Sequence, residues 1–259
     1  MPEALVRPLL EHVAVVTGSS SGIGRAIAHE LARRGASVVT VSRSQERADA
    51  AADELDGTAV GIGVDVTEPD APERLVGRAL DAFGRLDVFV NCAGAGQVAD
   101  SETLEAAEWR RIIELDLTAP FLCAQAAARP MLEAGRGVIV NVSSLLGHVG
   151  IARRAAYSAA KHGLEGLTKT LAVEWAPRGV RVVSVAPAYV EGAFIAGTMA
   201  AGGFTREDLA GRTPLGRLAE PEDVAKVVAF LASDDAAYVT GSSVLVDGGW
   251  TADGGWEHG

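Results

Sequence analysis

Short runs of β-branched residues alternate along this chain with alanine-rich stretches of helical length. The runs lie at His12–Thr17, Ser37–Val41, Ala59–Asp65, Asp87–Asn91, Gly137–Val142, Val180–Val185 and Ser243–Val246. Several are apolar at nearly every position rather than at every second one, as strands covered on both faces read. The stretches between them are long enough for the crossovers that parallel strands require. Gly35 and Gly179 each stand between a helical stretch and the next strand, where C-cap glycines occur. The pattern predicts one α/β domain over residues 1–259, a doubly wound parallel sheet of seven strands.

Two regions depart from that rhythm. Residues 188–213 contain EGAFIAGTMAAGGFT and leave the carboxyl end of a strand, where open α/β sheets bind ligands. They read as a substrate lid with a short helix. The tail, Gly248–Gly259, carries Trp250 and Trp256, two tryptophans expected to be exposed and to seek cover from another subunit.

Composition narrows the function. Asp and Glu number 34 against 23 Lys and Arg, a net charge of -11, which opposes non-specific binding to nucleic acid or an anionic membrane. Cys92 and Cys123 are the only cysteines; they exclude a disulfide framework and read as buried free thiols, and no metal site is expected. The first residues, MPEALVRPLLEH, are not expected to form a signal peptide, and no run of 18 apolar residues follows. A cytoplasmic protein is expected.

The first strand runs into Gly18-Ser-Ser20-Ser21-Gly22-Ile23-Gly24 and then into a helix. Gly18 permits a sharp turn, Gly22 lets backbone approach a pyrophosphate, and Gly24 allows close helix packing. The helix amino end offers free N–H groups to phosphates. In its βαβ context this turn predicts a Rossmann-type dinucleotide site. After the second strand stand Ser42 and Arg43, where an NAD site places an acid for the ribose 2′-hydroxyl. Arg43 suits a 2′-phosphate, so NADP(H) is favoured and NAD(H) stays possible. Asp65, with Val66 beyond it, closes the third strand, placed either to accept from the adenine amino group or to cap a turn.

Tyr157 and Lys161 lie four apart in AAYSAAKHGLEGLTKTLAVEW and share one helix face. An ammonium beside a phenol favours phenolate and is expected to lower the tyrosine pKa, giving a proton donor and acceptor usable near neutrality. Ser144 ends the preceding strand and can hold a carbonyl or hydroxyl oxygen.

These motifs, with the Asn91-Cys-Ala93-Gly94 segment and the closing LASDDAAYVTGSSVLVDGG, resemble the short-chain dehydrogenase/reductase family over nearly the whole chain. The resemblance implies that Tyr157 is the general acid/base. Lys161 lowers its pKa and holds the nicotinamide ribose, and Ser144 polarises the reacting C–O bond. It also implies that Asn91, Ala93, Gly94, Pro187 and Val190 line the cofactor cleft, and that the substrate is a small carbonyl or alcohol. Ketoacyl thioesters, sugars, polyols, steroids and small ketones all fall within its range. A homotetramer is implied, pairing the helices Trp109–Met131 and Tyr157–Trp175. The stripe of Leu164, Leu167 and Leu171 either joins that pairing or faces the sheet.

Three positions depart from the family pattern. Asp116 stands where an asparagine usually fixes a water in a proton relay; it is expected near Lys161 through water, opposing the phenolate. Gly192 replaces a threonine beyond the sixth strand. Ser21 replaces a basic residue common in NADP-preferring members. The alternative to a dehydrogenase is a catalytically weakened nucleotide-binding sensor or scaffold of the same fold; an epimerase or dehalogenase is a third reading.

Overall fold

The computed structural model describes residues 8–254. Seven strands form one parallel sheet in the order β3-β2-β1-β4-β5-β6-β7. They are β1 (Val13–Val16), β2 (Ser37–Ser42), β3 (Ala59–Gly63), β4 (Val88–Asn91), β5 (Gly137–Val142), β6 (Val180–Pro187) and β7 (Ser243–Val246). β1 and β4 are neighbours, and the strand order reverses between them. Their carboxyl ends therefore open onto the crevice where such sheets take ligands. The predicted doubly wound seven-stranded sheet is the observed one.

The near-continuous apolar strands β1, β4, β5 and β6 are buried on both faces, whereas the edge strands β3 and β7 are only half-buried. Helices α1 (Gly22–Arg33) and α9 (Pro221–Ala232) cover one face, packing Ile27, Leu31 and Val228 into one core with Ala14, Val16 and Val140. Helices α3 (Ala71–Phe83), α5 (Ala119–Ala134) and α6 (Ala155–Trp175) cover the other, where Leu75, Met131 and Leu171 meet Phe89 and Ile139. Leu164 and Leu171 are buried and Leu167 packs on this second core, so the leucine stripe faces the sheet. Helix α2 (Gln45–Asp53) lies between β2 and β3.

The expected helix at 109–131 is broken differently. Helix α4 (Ala106–Ile113) runs into a π turn, Glu114–Thr118, before α5 begins. The lid segment folds as two helices, α7 (Ala193–Gly202) and α8 (Arg206–Arg212), where one was expected. Ile195 and Leu209 pack there with Leu218 in a small core of their own.

The expectation of a free tryptophan at 250 is corrected. Trp250 is partly buried, with its ring 6.2 Å from that of Tyr189 and the Arg212 guanidinium 4.5 Å above it. An aromatic partner and a cation over the ring face cover it within its own chain. Trp256 lies outside the described residues.

Candidate active site

A cleft of about 600 Å³ runs along the carboxyl ends of the strands. At one end Gly18 turns the chain with φ +70°, a conformation that favours glycine, and a Cβ there would lie 3.1 Å from Ala93 Cα. A Cβ on Gly24 would reach within 2.4 Å of Gly18 O, so the helix packs on the turn itself as well as beside the sheet. Gly22 has φ +52° and open space where a Cβ would stand. Ser21, the residue before α1, makes no side-chain capping bond, which leaves the amino end of the helix free to meet an anion. An open glycine cradle at an uncapped helix start suits a dinucleotide phosphate.

Side chains not singled out in the sequence fix this end. Thr17 Oγ1 accepts from Cys92 N at 2.9 Å and Ala93 N at 3.0 Å, and so sets the loop after β4. Ser19 Oγ accepts from Val41 N at 2.7 Å and ties the turn to β2. Their signal was a hydroxyl beside each bend, which many turns share.

Ser20, Ser21, Ile23, Ser42, Arg43, Asp65 and Val66 all line the cleft with the three glycines. Arg47 joins them from α2, one helical turn beyond Arg43 and unforeseen from sequence. Asp65 Oδ1 accepts from Thr67 N at 3.0 Å and from Thr67 Oγ1 at 2.7 Å. Those bonds, the backbone one foremost, hold its carboxyl below the usual range despite partial burial. The capping reading of Asp65 is therefore realised, and the residue lines the cleft as well.

Ala93, Gly94, Pro187 and Val190 line the middle of the cleft. Asn91 does not. Its Nδ2 donates to Pro120 O at 3.1 Å and to Asn141 Oδ1 at 2.9 Å, while Asn141 Nδ2 donates to Thr168 Oγ1 at 2.9 Å. This buried chain of amides joins β4, β5, α5 and α6, so Asn91 holds the cleft floor together from below. Cys92 lines the cleft and Cys123 lies in the core; both are free thiols pushed up to about 12 by burial. They are poor nucleophiles at neutral pH.

At the other end Ser144, Tyr157 and Lys161 meet. Ser144 precedes a short 3-10 turn, Leu145–Gly147, and its Oγ accepts from Leu146 N at 3.2 Å. Its hydroxyl also acts on the Tyr157 phenol, pulling the phenol pKa down. Lys161 Nζ lies 5.5 Å from the Tyr157 ring centre and donates to Val142 O at 3.1 Å. His148, just past that turn, is directed instead to Ser243 Oγ at 3.0 Å and Glu165 Oε1 at 3.4 Å.

Asp116 differs from expectation in how it meets Lys161. Oδ1 lies 3.1 Å from Lys161 Nζ, a direct ion pair with both side chains buried. Oδ2 accepts from Ala95 N at 3.2 Å. The close approach depends on Gly94, where a Cβ would stand 2.6 Å from Asp116 Oδ1. The tyrosine also departs from expectation: the Tyr157 phenol is held above its ordinary value. Burial is the largest cause; the Lys161 ammonium pulls it down, and the Asp116 carboxylate pushes it back up. Burial likewise opposes the Lys161 charge, but Asp116 and Tyr157 outweigh it and hold the ammonium above its usual range.

Residues 18–251 match the family described as enoyl-(acyl carrier protein) reductase. A cis-4-hydroxycyclohexanecarboxylate dehydrogenase from Sinomonas cyclohexanicum is 48% identical over 246 residues, covering 93% of this chain and 97% of the relative. A cyclohexanol dehydrogenase from Acinetobacter sp. (strain SE19) is 41% identical over 244 residues, covering 93% and 95%. A crystal structure from Beutenbergia cavernae, described as an NAD(P)-dependent gluconate 5-dehydrogenase with NADP bound at low occupancy, superposes with a TM-score of 0.87. It is 40% identical and covers 96% of this chain and 100% of that one.

Proposed function

Because the chain belongs to the short-chain dehydrogenase/reductase family, we propose that it transfers hydride between NADP(H) and a small secondary alcohol or ketone carried on a ring. Oxidoreduction of carbonyls and alcohols is the general activity that membership brings. The observation that carries the finer reading is one continuous cleft, with an open glycine cradle at one end and Ser144, Tyr157 and Lys161 at the other. The ring preference is supported by the alicyclic alcohols named for two relatives. Leu146, Ile151 and Phe194 make the substrate end apolar, as a hydrocarbon ring requires.

The bound nicotinamide supplies or accepts the hydride. Ser144 Oγ holds the substrate oxygen, and Tyr157 Oη gives that oxygen its proton in reduction or takes it in oxidation. Lys161 keeps a positive charge beside the phenol, so the phenolate formed by proton donation is not left uncompensated. Asp116 fixes that ammonium in place. Arg43 and Arg47 form a cationic end to the cleft, and neither guanidinium has an ion-pair partner among the described residues. Two free guanidiniums suit a ribose 2′-phosphate, which supports NADP(H) over NAD(H).

Assembly into a homotetramer fits the same reading. Trp109 on α4 is 40% exposed and Val173 on α6 is 78% exposed, leaving apolar side chains on the outer faces of both helices. Leu245 is 43% exposed on β7, which is an edge strand of the sheet.

The test is turnover of cyclohexanol, cyclohexanone and a panel of open-chain ketones with each nicotinamide cofactor. NADP(H)-dependent turnover of the ring substrates is expected. Tight cofactor binding without turnover of any substrate would replace this reading with that of a nucleotide sensor.

A further inference from the structure

Arg154 is the residue immediately before α6. A cation at a helix amino end opposes the helix dipole, so its presence there needs another reason. Only 8% of the residue is exposed, and it lines the cleft between Ile151 and Tyr157. The one hydrogen bond its side chain makes among the described residues runs from Nη1 to Gln97 O at 2.9 Å. A guanidinium carries five N–H donors, so most of this one's capacity points to no acceptor in the chain.

Every other charge near this end of the cleft is answered. Lys161 faces Asp116, and Arg111 faces Glu108 at 2.7 Å. Glu191 faces Arg206. Of the charges at this end Arg154 alone makes no ion pair among the described residues, and burial pulls its guanidinium below the ordinary range. Retaining a buried, uncompensated cation is costly unless something else neutralises it.

The local backbone is shaped to aim this residue inward. Arg153 has φ +66°, a left-handed conformation that residues other than glycine seldom adopt. Its carbonyl accepts from Ala99 N at 3.1 Å and Gln97 Nε2 at 3.2 Å, which pins the turn to the loop after β4. The result sends two successive arginines apart. Arg153 reaches Asp100 at 3.0 Å on the surface, while Arg154 enters the cleft.

We propose that Arg154 is the anchor for a carboxylate on the substrate, so that the preferred substrates are hydroxy acids and oxo acids rather than neutral alcohols and ketones. This rests on the reaction proposed above and adds the charge of its substrate. The carboxylate meets the free edge of the guanidinium in a charge-assisted contact. With Arg154 one turn from Tyr157 along the chain, the acid group and the reacting oxygen are held at opposite ends of a short carbon skeleton.

The decisive measurement compares ligands that differ only in charge. Cyclohexanecarboxylate and cyclohexanecarboxamide are titrated calorimetrically into the enzyme with NADP⁺ present, which needs no turnover. The acid is expected to bind about tenfold to a hundredfold more tightly than the amide, the range of a charge-assisted hydrogen bond. Arg154→Gln abolishes that preference, and Arg154→Lys keeps part of it, with thermal melts of both variants confirming the fold. In turnover, 4-oxocyclohexanecarboxylate exceeds cyclohexanone in kcat/KM through a lower KM, and Arg154→Gln brings the two together. Equal binding of acid and amide to the wild-type enzyme, or an acid preference that survives in Arg154→Gln, overturns the proposal. Acid-selective binding with neither ketone turned over upholds the anchor and counts against the proposed reaction.

Discussion

Asp116 Oδ1 sits 3.1 Å from Lys161 Nζ, and the two side chains are all but sealed from solvent. The pair makes the proton-transfer end of the cleft electrically different from a site with an amide at that position. The ammonium that favours the Tyr157 phenolate is shared with a carboxylate that opposes it.

Replacing the carboxylate by an amide removes that opposition. Asp116→Asn is expected to lower the pH at which alcohol oxidation reaches half its plateau. The sign follows because a nearby anion raises the pKa of a phenol that becomes an anion, and its removal lowers it. A kcat/KM profile for both proteins in one buffer series reads the shift. An unchanged or upward-moved midpoint would show that the Asp116 charge is not felt at Tyr157.

Tyr157→Phe removes the phenolic proton and leaves the ring beside Phe194, 6.3 Å away centre to centre. Turnover is expected to fall by about a hundredfold to ten-thousandfold, the usual worth of a positioned acid/base. The cofactor dissociation constant, measured by fluorescence, is expected to stay close to wild type. Activity within tenfold of wild type would remove Tyr157 from its role.

Arg43→Ala is expected to raise KM for NADP(H) by about tenfold or more, the worth of one charge-assisted hydrogen bond, with little change for NAD(H). Arg47→Ala moves in the same direction. Equal effects on both cofactors would mean that these guanidiniums meet a part of the molecule common to both.

Gly94→Ala places a methyl group where Asp116 Oδ1 stands, 2.6 Å from the new Cβ. Overpacking of this kind costs about 1–3 kcal/mol, and the melting temperature is expected to fall by several degrees. Asp116→Ala relieves the contact but strands the buried Lys161 ammonium, so the test is a double-mutant cycle: Gly94→Ala is expected to cost less in the Asp116→Ala background than in the wild type. An equal cost of Gly94→Ala in both backgrounds would locate the strain elsewhere.

The glycine-rich turn and the Tyr157–Lys161 pair could be read in advance because each needs particular residues at a fixed spacing, and the spacing survives in any context. The seven strands were visible for a similar reason, since burial on both faces writes itself into composition. Asp116 was found by its place in a pattern, but its direct contact with Lys161 was not. That contact depends on a π turn and on the missing side chain of Gly94, which are far apart in sequence. Asn91 lies in a segment associated with the cofactor, yet its amide serves the buried chain through Asn141. Arg154 gave no sequence signal at all. An arginine before a helix is ordinary, and only the left-handed turn at Arg153 shows which of two neighbours goes inside.

The π turn at Glu114–Thr118 has a bearing on how this enzyme can change. An inserted π turn breaks the phase between the helical pieces it joins. The outward face of α4, which bears Trp109, and the inward face of α5, which bears Cys123, are therefore indexed independently. Substitutions can recast the outer surface, and with it whatever neighbour the helix meets, without rotating Asp116 away from Lys161. A one-residue deletion inside the turn would act in the opposite way. It would restore a continuous helical register, swing one piece by about 100° relative to the other, and force the molecule to choose between its exterior and its chemistry.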